Sequence, residues 1–469
     1  MTLIIPGVEV KVVKDLLAPQ VAPSGVLGIV GLTETMPPDG VGRAASWNSL
    51  AEAFGEATAY SLAEAPPALA NGVFELVVSA VDPANATTAS VKLLGEDGKA
   101  DALPLVARAP GPWANGLALT VTRRQVPATK ADGSADTAWV FDLAVQRPGG
   151  SDAEVHRNLS LDPKNMRYVV DVLAKQSALV QVETGATLAP PFPLASGDAY
   201  VLAGGKDAGR ADYQAALARL ADHSDVDMVL LSVQDTSNTT RLAQMYADLV
   251  SHCELMSARS QGRIGFAGIP GATVADITKN AETLANNLVS DRLVLVAPYS
   301  AVGAVAGMVG SLDYFQSPTF KTVALGTVAP AIGVEAQQSL LQLNTVPVVS
   351  QRGRGIIVLR GLTSDGDQIS VRRVADHAVR AVRSIGELFI GKLNNELGRG
   401  ALKQHLIAAL VQMEKDGALV PSTDGKDPAF KLDVFSSQDD FAKGIVRVDM
   451  AVRPVRAIDY VYARVLVQI

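Results

Sequence analysis

Alternating apolar and polar residues mark both ends of the chain as strands. Val8, Val10 and Val12 alternate with Glu9 and Lys11 after the Pro6-Gly7 pair, and Val446, Val448, Met450 and Val452 alternate with Arg447, Asp449 and Arg453. A period of two is that of a half-buried strand. The alternation resumes after Pro454 and runs through Tyr460 and Tyr462 to Val465, Val467 and Ile469. Chain ends ordinarily fray, because few contacts offset the entropy of ordering them. Strand-like ends therefore predict pairing, either inside the same domain or with another copy, since an open edge invites a further strand.

Between the ends the pattern changes twice. Ala22–Thr33 reads as a turn and a buried strand, Ser46–Gly55 as a short helix with Leu50 and Phe54 four apart, and Phe74–Ala80 as another strand. From about Pro83 to Gly197, short apolar runs such as VKLL, LALTV and WVFDLAV are separated by turn chemistry (GEDGK, PGPWANG, TKADGSAD), which predicts a β-rich, surface-facing insertion. One helix interrupts it, with Asp162 expected as N-cap and Pro163 at the first helical position. From Tyr213 onward helices 212–222, 238–258 and 273–287 alternate with the strands VDMVLLSV, IGFAGIP and LVLVAP. Such alternation predicts a mostly parallel sheet with helices on its faces.

The last part reads as a further unit. A strand at Ile356–Leu359 lies between Gly355 and Gly361. A long helix from about Ser370 to Leu393 follows, with Val371, Val374, Val382, Ile385 and Phe389 on one face. Its other face, with Arg373, Asp376, Arg380, Arg383 and Glu387, reads as solvated, with four-apart pairs. A second helix spans about Gly400 to Lys415.

The expected fold is α/β and multidomain. It comprises a β-arm at 1–21, a discontinuous α/β domain with helices on both sheet faces at 22–82 and 198–346, and the β-rich insertion at 83–197. An α+β C-terminal domain at 347–442 and a second β-arm at 443–469 complete it. A length of 469 residues suits two or three domains.

Composition narrows the function classes. Hydrophobic residues make up 48% and charged residues 19%, and 41 basic against 48 acidic residues give a net charge of -7. That balance argues against a surface devoted to nucleic acid. The single cysteine, Cys253, excludes an internal disulfide and any multi-cysteine metal site. The N-terminus lacks the pattern of a secretory signal, so synthesis in the cytoplasm is expected. Leu293–Leu312 carries no charge over 20 residues, but Pro298, Ser300, Gly303, Gly307 and Gly310 break it into a buried strand, a turn and a closely packed helix.

Signatures of catalysis fail one by one. His156, His223, His252, His377 and His405 show no metal-ligand spacing, and HExxH and GxSxG are absent. His252 and Cys253 are neighbours on a helix, about 100° apart, and read as a surface histidine beside a core cysteine. A P-loop needs Gly-Lys followed by Ser or Thr, yet Lys99, Lys206, Lys392 and Lys426 are followed by Ala100, Asp207, Leu393 and Asp427. QRGRGIIV has Val358 where a dinucleotide fingerprint needs its third glycine, and LAGGKDAGR at 202–210 reads as a turn. No cofactor and no catalytic residue is expected.

The order of segments resembles one family over nearly the whole chain. The markers are PGVEV at Pro6, then GIVGLTE and SWNSLAEAFG, PGPWANGLALTV at Pro110 and LAGGKDA at Leu202. APYSAVGAVAGMVGSLD at Ala297, LNTVPVVSQRGRGIIVLRGLTS at Leu343 and VRRVADHAVRAV at Val371 follow. Together they resemble the sheath proteins of contractile phage tails and related contractile injection systems. The chain departs from the pattern at Leu359 and Gly361-Leu362-Thr363, where the family often has Trp and Ala-Arg-Thr.

The resemblance implies a structural protein without an active site. Sheath subunits of this kind stack as hexameric rings around an inner tube and contract to drive the tube through a target envelope. Partners implied are other copies of the chain, the inner tube, and baseplate and terminator proteins, with no nucleic acid and no membrane insertion. Thr2–Lys14 and about Ile445–Ile469 match the family's linking arms, so Val8, Val10, Val12, Val446, Val448, Met450, Val452, Val465 and Val467 are the expected inter-subunit arm residues. The tube-facing surface is expected on helix Gly400–Lys415, with Arg399, Lys403, Glu414 and Lys415. Two other readings remain: an α/β nucleotide- or small-molecule-binding enzyme with paired terminal strands, and another self-assembling shell protein.

Overall fold

The structure, a computed structural model, describes residues 24–95, 99, 101–129, 134–148, 150, 153–186, 188 and 200–464. They divide into two compact bodies, 24–372 with 457–464 and 373–456.

The first body opens with β1 (Val26–Gly31), buried along its whole length, and β2 (Val41–Ala44). In α1 (Trp47–Phe54) Ser46 and Ser49 form a capping box, and Gly55 ends the helix at φ 89°, a conformation that favours glycine. The short helices α2 (Thr58–Ser61) and α3 (Ala65–Ala70) then lead into β3 (Glu75–Ala80).

Next comes the expected β-rich region. It holds β4 (Ser90–Leu94), β5 (Asp101–Ala107), β6 (Ala118–Thr129), β7 (Ala135–Gln146), β8 (Ala153–Leu159), α4 (Val169–Gln176), β9 (Val180–Val182) and β10 (Tyr200–Val201). Its strands form two sheets, β4-β5-β9 and β10-β6-β7-β8, around a separate apolar core that includes Leu105, Phe141, Leu143 and Leu173. Bridges continue to Ala203 and Lys206, so the region runs past the expected end at 197. Its helix begins at Val169, not after Asp162. The Asp162 carboxylate accepts from Lys164 N at 3.0 Å and closes a local turn, because a short acceptor next to proline satisfies a turn as readily as a helix end. An ion pair between Arg108 and Glu34 at 2.6 Å and stacked rings of Tyr60 and Trp113 join this region to the rest of its body.

The alternating part follows as predicted, with α5 (Arg210–Arg219), β11 (Met228–Ser232), α6 (Thr239–Ala258), β12 (Ile264–Gly268), α7 (Val274–Asn287), β13 (Leu293–Ala297), α8 (Val302–Ser311), α9 (Val334–Gln342), β14 (Val346–Gln351) and β15 (Gly355–Val358). An eight-stranded sheet has the order β15-β14-β13-β12-β11-β1-β3-β2. Strands β14 to β3 in that order run parallel, and antiparallel β15 and β2 close the edges. The expected domain start at 347 therefore falls inside β14, which is hydrogen-bonded to β13.

Side chains alternate between two cores. Val229 and Leu231 of β11 face α5, α6 and α7, whereas Met228 and Leu230 face α1, α3 and α8. Burial on both faces explains why these strands read as unbroken apolar runs. The outer edge of β15 is covered by the strip 320–323, where Phe320 N donates to Val358 O at 2.8 Å and Val323 N to Ile356 O at 2.9 Å. An edge so covered offers no template for another chain. Among the described residues no helix is long and apolar enough to cross a membrane, and the uncharged stretch at 293–312 is β13 and α8.

The second body takes all but the start of α10 (Ile369–Glu387), then α11 (Glu396–Lys415), β16 (Phe430–Phe435), α12 (Gln438–Ala442) and β17 (Arg447–Val452). Ile385, Leu402 and Leu406 pack with Leu432, Val434, Val446 and Val448. The polar face of α10 is not uniformly solvated. Arg373 and Asp376 are buried at 5% and 7% exposure, while Arg383 and Glu387 pair at 3.0 Å on a more exposed stretch.

Helix α8 lies against α3 at a separation set by glycine. A Cβ at Gly303 would lie 2.2 Å from the Glu64 carbonyl oxygen, and one at Gly307 2.2 Å from that of Ala68. Gly307→Ala is therefore expected to lower the unfolding free energy by about 1–3 kcal/mol. Gly386→Ala in α10, where nothing lies within 4 Å, should raise it by about 0.5–1 kcal/mol. Denaturant unfolding of the two variants checks both signs.

Candidate functional site

In an open parallel sheet the chain reverses its winding at one point, and the crevice beyond the strand ends there is the usual ligand site. Here that point lies between β1 and β11, neighbours whose onward partners are β3 and β12. The main-chain amides there are met by the protein itself, beside a cleft of about 450 Å³ bordered by Asp207, Asp235 and Arg241. Asp207 Oδ2 accepts from Gln234 N at 3.1 Å and Asp235 N at 3.0 Å, and Oδ1 accepts from Ala208 N at 2.8 Å. The Tyr213 hydroxyl stands 2.9 Å from Oδ1. Arg241 donates to the Ala208 carbonyl at 2.7 Å and to Asp235 at 3.3 Å. Amides aimed this way would cradle a phosphate in a nucleotide-binding relative. In this chain the acceptor they meet is the Asp207 side chain, at 1% exposure, and burial pushes its carboxyl above the usual range. The LAGGKDAGR turn therefore has an internal structural use.

A second carboxyl lies deeper. Ser232 Oγ donates to Glu64 Oε2, and beside it the Tyr299 hydroxyl donates to the Val233 carbonyl at 2.9 Å. Burial pushes the Glu64 carboxyl above the usual carboxylate range, against the opposing bond from Ser232. The close α3–α8 approach through Gly303 fixes the Glu64 backbone, and a cleft of about 480 Å³ bordered by Glu64, Gly271 and Tyr299 opens outside it. Among the described residues no group of three or more His, Cys, Asp or Glu is placed to hold a metal ion.

His252 and Cys253 are both buried, which corrects the expectation of a surface histidine. Fully buried Arg263 lies 2.8 Å from His252 Nε2 and donates to the Leu220 carbonyl at 2.9 Å. Burial, and then the Arg263 charge, push His252 down to about 3, so it is neutral and accepts. Cys253 packs in the core on the α6 side of the sheet.

The arm residues fare differently from one another. Val448, Met450 and Val452 lie on β17, which pairs antiparallel with β16 of the same chain in the register Val434↔Val448, Leu432↔Met450 and Phe430↔Val452. Within the chain β17 thus has β16 as its partner on one edge, and its apolar face, with Val446, packs on α11. Residues 457–464 form no strand, because no neighbouring strand is there to complete a ladder. Val8, Val10, Val12, Val465 and Val467 lie outside the described residues.

The expected tube-facing charges are partly engaged within the chain. Lys403 pairs with Asp433 at 3.1 Å and Arg399 donates to Asn394 Oδ1 at 2.9 Å, while Glu414 and Lys415 are exposed. Sequence reasoning missed the exposed apolar residues around the connector between α10 and α11, where Ile390 and Leu393, and Leu397 at the start of α11, are 83%, 79% and 83% exposed. The long helix expected to reach Leu393 ends at Glu387. The apolar run Leu388-Phe389-Ile390, directly after the Arg383–Glu387 pair, was the available signal.

The comparisons with known proteins agree with this picture. A family model described as the phage tail sheath protein central domain matches residues 206–364, and one described as the phage tail sheath C-terminal domain matches residues 363–468. The chain belongs to the phage tail sheath protein family. This sheath subunit shares its fold with a sheath tail protein from Listeria innocua, at 14% identity, TM-score 0.51 and 94% coverage of each chain. It likewise resembles the anti-feeding prophage helical sheath in the contracted state, at 12% identity, TM-score 0.53 and 99% coverage of each chain. The sheath of an extracellular contractile injection system (PVC) matches at 10% identity and TM-score 0.53, covering 99% of this chain and 98% of that one. Comparison with curated protein sequences finds no match. The subunit is a structural component of a sheath.

Glu64 makes the pH dependence of the sheath subunit testable. A carboxyl whose pKa is raised on folding keeps its proton to a higher pH in the native state than in the unfolded one, so its contribution to stability is complete below the unfolded value near 4.5 and is lost as pH rises through the folded value. Glu64→Gln is expected to flatten the unfolding free energy above pH 4.5 and to gain on the wild type at pH 8. Denaturant unfolding of the two proteins at pH 5 and pH 8 measures the difference.

Proposed function

We propose that this sheath subunit polymerises as stacked hexameric rings around an inner tube, is linked to its neighbours by strand addition, and contracts to drive the tube through a target envelope. The observation that carries the proposal is the β16–β17 sheet. It has two strands, and among the described residues no third strand pairs with either edge. A two-stranded ribbon is marginal alone and gains from strands added at its edges. The chain supplies segments of the right pattern at both ends, with Val8, Val10 and Val12 in one and Val465 and Val467 in the other. Main-chain pairing is insensitive to side-chain detail, so rigid bodies can rotate while staying linked.

On this reading the sheath subunit is no enzyme. Asp207 supports that part, since it occupies the amides at the sheet crevice where a nucleotide reading would place a phosphate. The partners are further copies, an inner tube, and baseplate and terminator proteins. The exposed end of α11, at Glu414 and Lys415, is proposed as part of the tube-facing surface. Synthesis takes place in the cytoplasm, and the product is part of a virion tail or a contractile injection particle.

Deleting Thr2–Lys14 should leave folded, soluble subunits that form no tubes in electron micrographs. Tubes of wild-type appearance after that deletion would sink the linkage by strand addition.

A further inference from the structure

We infer that Gln368, Arg360 and Thr319 form an anchor that fixes the root of the C-terminal extension, at Ala457 and Asp459, to the first body. The inference rests on the strand-addition reading above. Gln368, 6% exposed, treats Ala457 as a strand would: its Oε1 accepts from Ala457 N at 2.8 Å and its Nε2 donates to Ala457 O at 3.0 Å. Two residues on, the Asp459 carboxylate, at 7% exposure, accepts from Arg360 Nε at 2.9 Å, with Thr319 Oγ1 at 3.5 Å. The Arg360 guanidinium also lies 5.3 Å from the centre of the Tyr460 ring. Ile458, between the two anchored residues, is 81% exposed. The segment is thus extended with a period of two, as its sequence suggests, but side chains hold it in place of a sheet.

The anchor is tied to the edge of the large sheet. Arg360 follows β15, and Thr319 Oγ1 accepts from Gly361 N at 3.1 Å, beside the strip that covers the outer edge of β15. A pull on the last residues therefore enters the eight-stranded sheet through a charge-assisted bond and a two-point amide pair. Nine residues follow Tyr460 in the sequence, a length that spans about 30 Å as an extended strand.

The test uses the full-length chain. In unassembled Arg360→Ala/Gln368→Ala subunits, amide hydrogen exchange at 457–460 should rise about tenfold or more, with the unfolding midpoint of the body unchanged, and tubes should fragment at lower shear. Asp459→Asn, which keeps the shape of the side chain, should give a smaller change of the same sign. Ile458→Ser should change neither readout. Unchanged exchange in the double variant, or an equal effect of Ile458→Ser, overturns the anchor. Removing Val461–Ile469 separates the two ideas: tubes that still form and resist shear overturn the strand-addition reading, while exchange at 457–460 decides the anchor by itself.

Discussion

A parallel sheet buried on both faces leaves a row of polar main-chain groups at its carboxyl ends, and the rest of this molecule depends on how that row is satisfied. In α/β enzymes a ligand does part of this work. Here Asp207 meets the amides of Ala208, Gln234 and Asp235, and Glu64 meets Ser232 beside Tyr299. Buried polar groups without partners are costly, so an internal carboxylate stabilises the crevice without any ligand.

On the proposed reading, assembly uses main-chain edges. The large sheet has its β15 edge covered by the 320–323 strip. The small β16–β17 sheet has no such cover among the described residues, and charged side chains such as Lys431 and Asp433 flank it. A protein that guards one edge and leaves another open confines strand addition to a chosen place. This contrast agrees with a sheath, where wrong pairing would block the polymer.

Legibility from sequence followed the reach of each interaction. The helices α6 and α7 and the strands β11 to β13 were legible because caps and periodicity are local: Asn238 and Thr273 cap where the pattern places them. The helix expected after Asp162 was misplaced because the same carboxylate serves a turn or a cap equally well. The domain start at 347 was misplaced because apolar β14 reads the same whether it joins β13 or opens a new sheet. His252 was read as exposed because its partner Arg263 lies past the end of α6, outside any helix spacing. The anchor of Arg360, Gln368 and Asp459 joins residues about a hundred positions apart, and no spacing rule finds such a set.

By itself, the sequence determined that this is an α/β chain with a β-rich insertion, that catalytic signatures fail, and that both ends alternate like strands. It determined these because period, turn chemistry and ordered motifs are properties of neighbouring residues. Only the tertiary structure decided which partner each strand takes. An alternating segment has the same pattern whether its hydrogen bonds go to β16, as those of β17 do, or are replaced by side chains, as at Ala457 and Asp459. Hydrogen-bond direction across a strand carries no sequence signal, and the choice of partner is made by what the folded bodies place beside it.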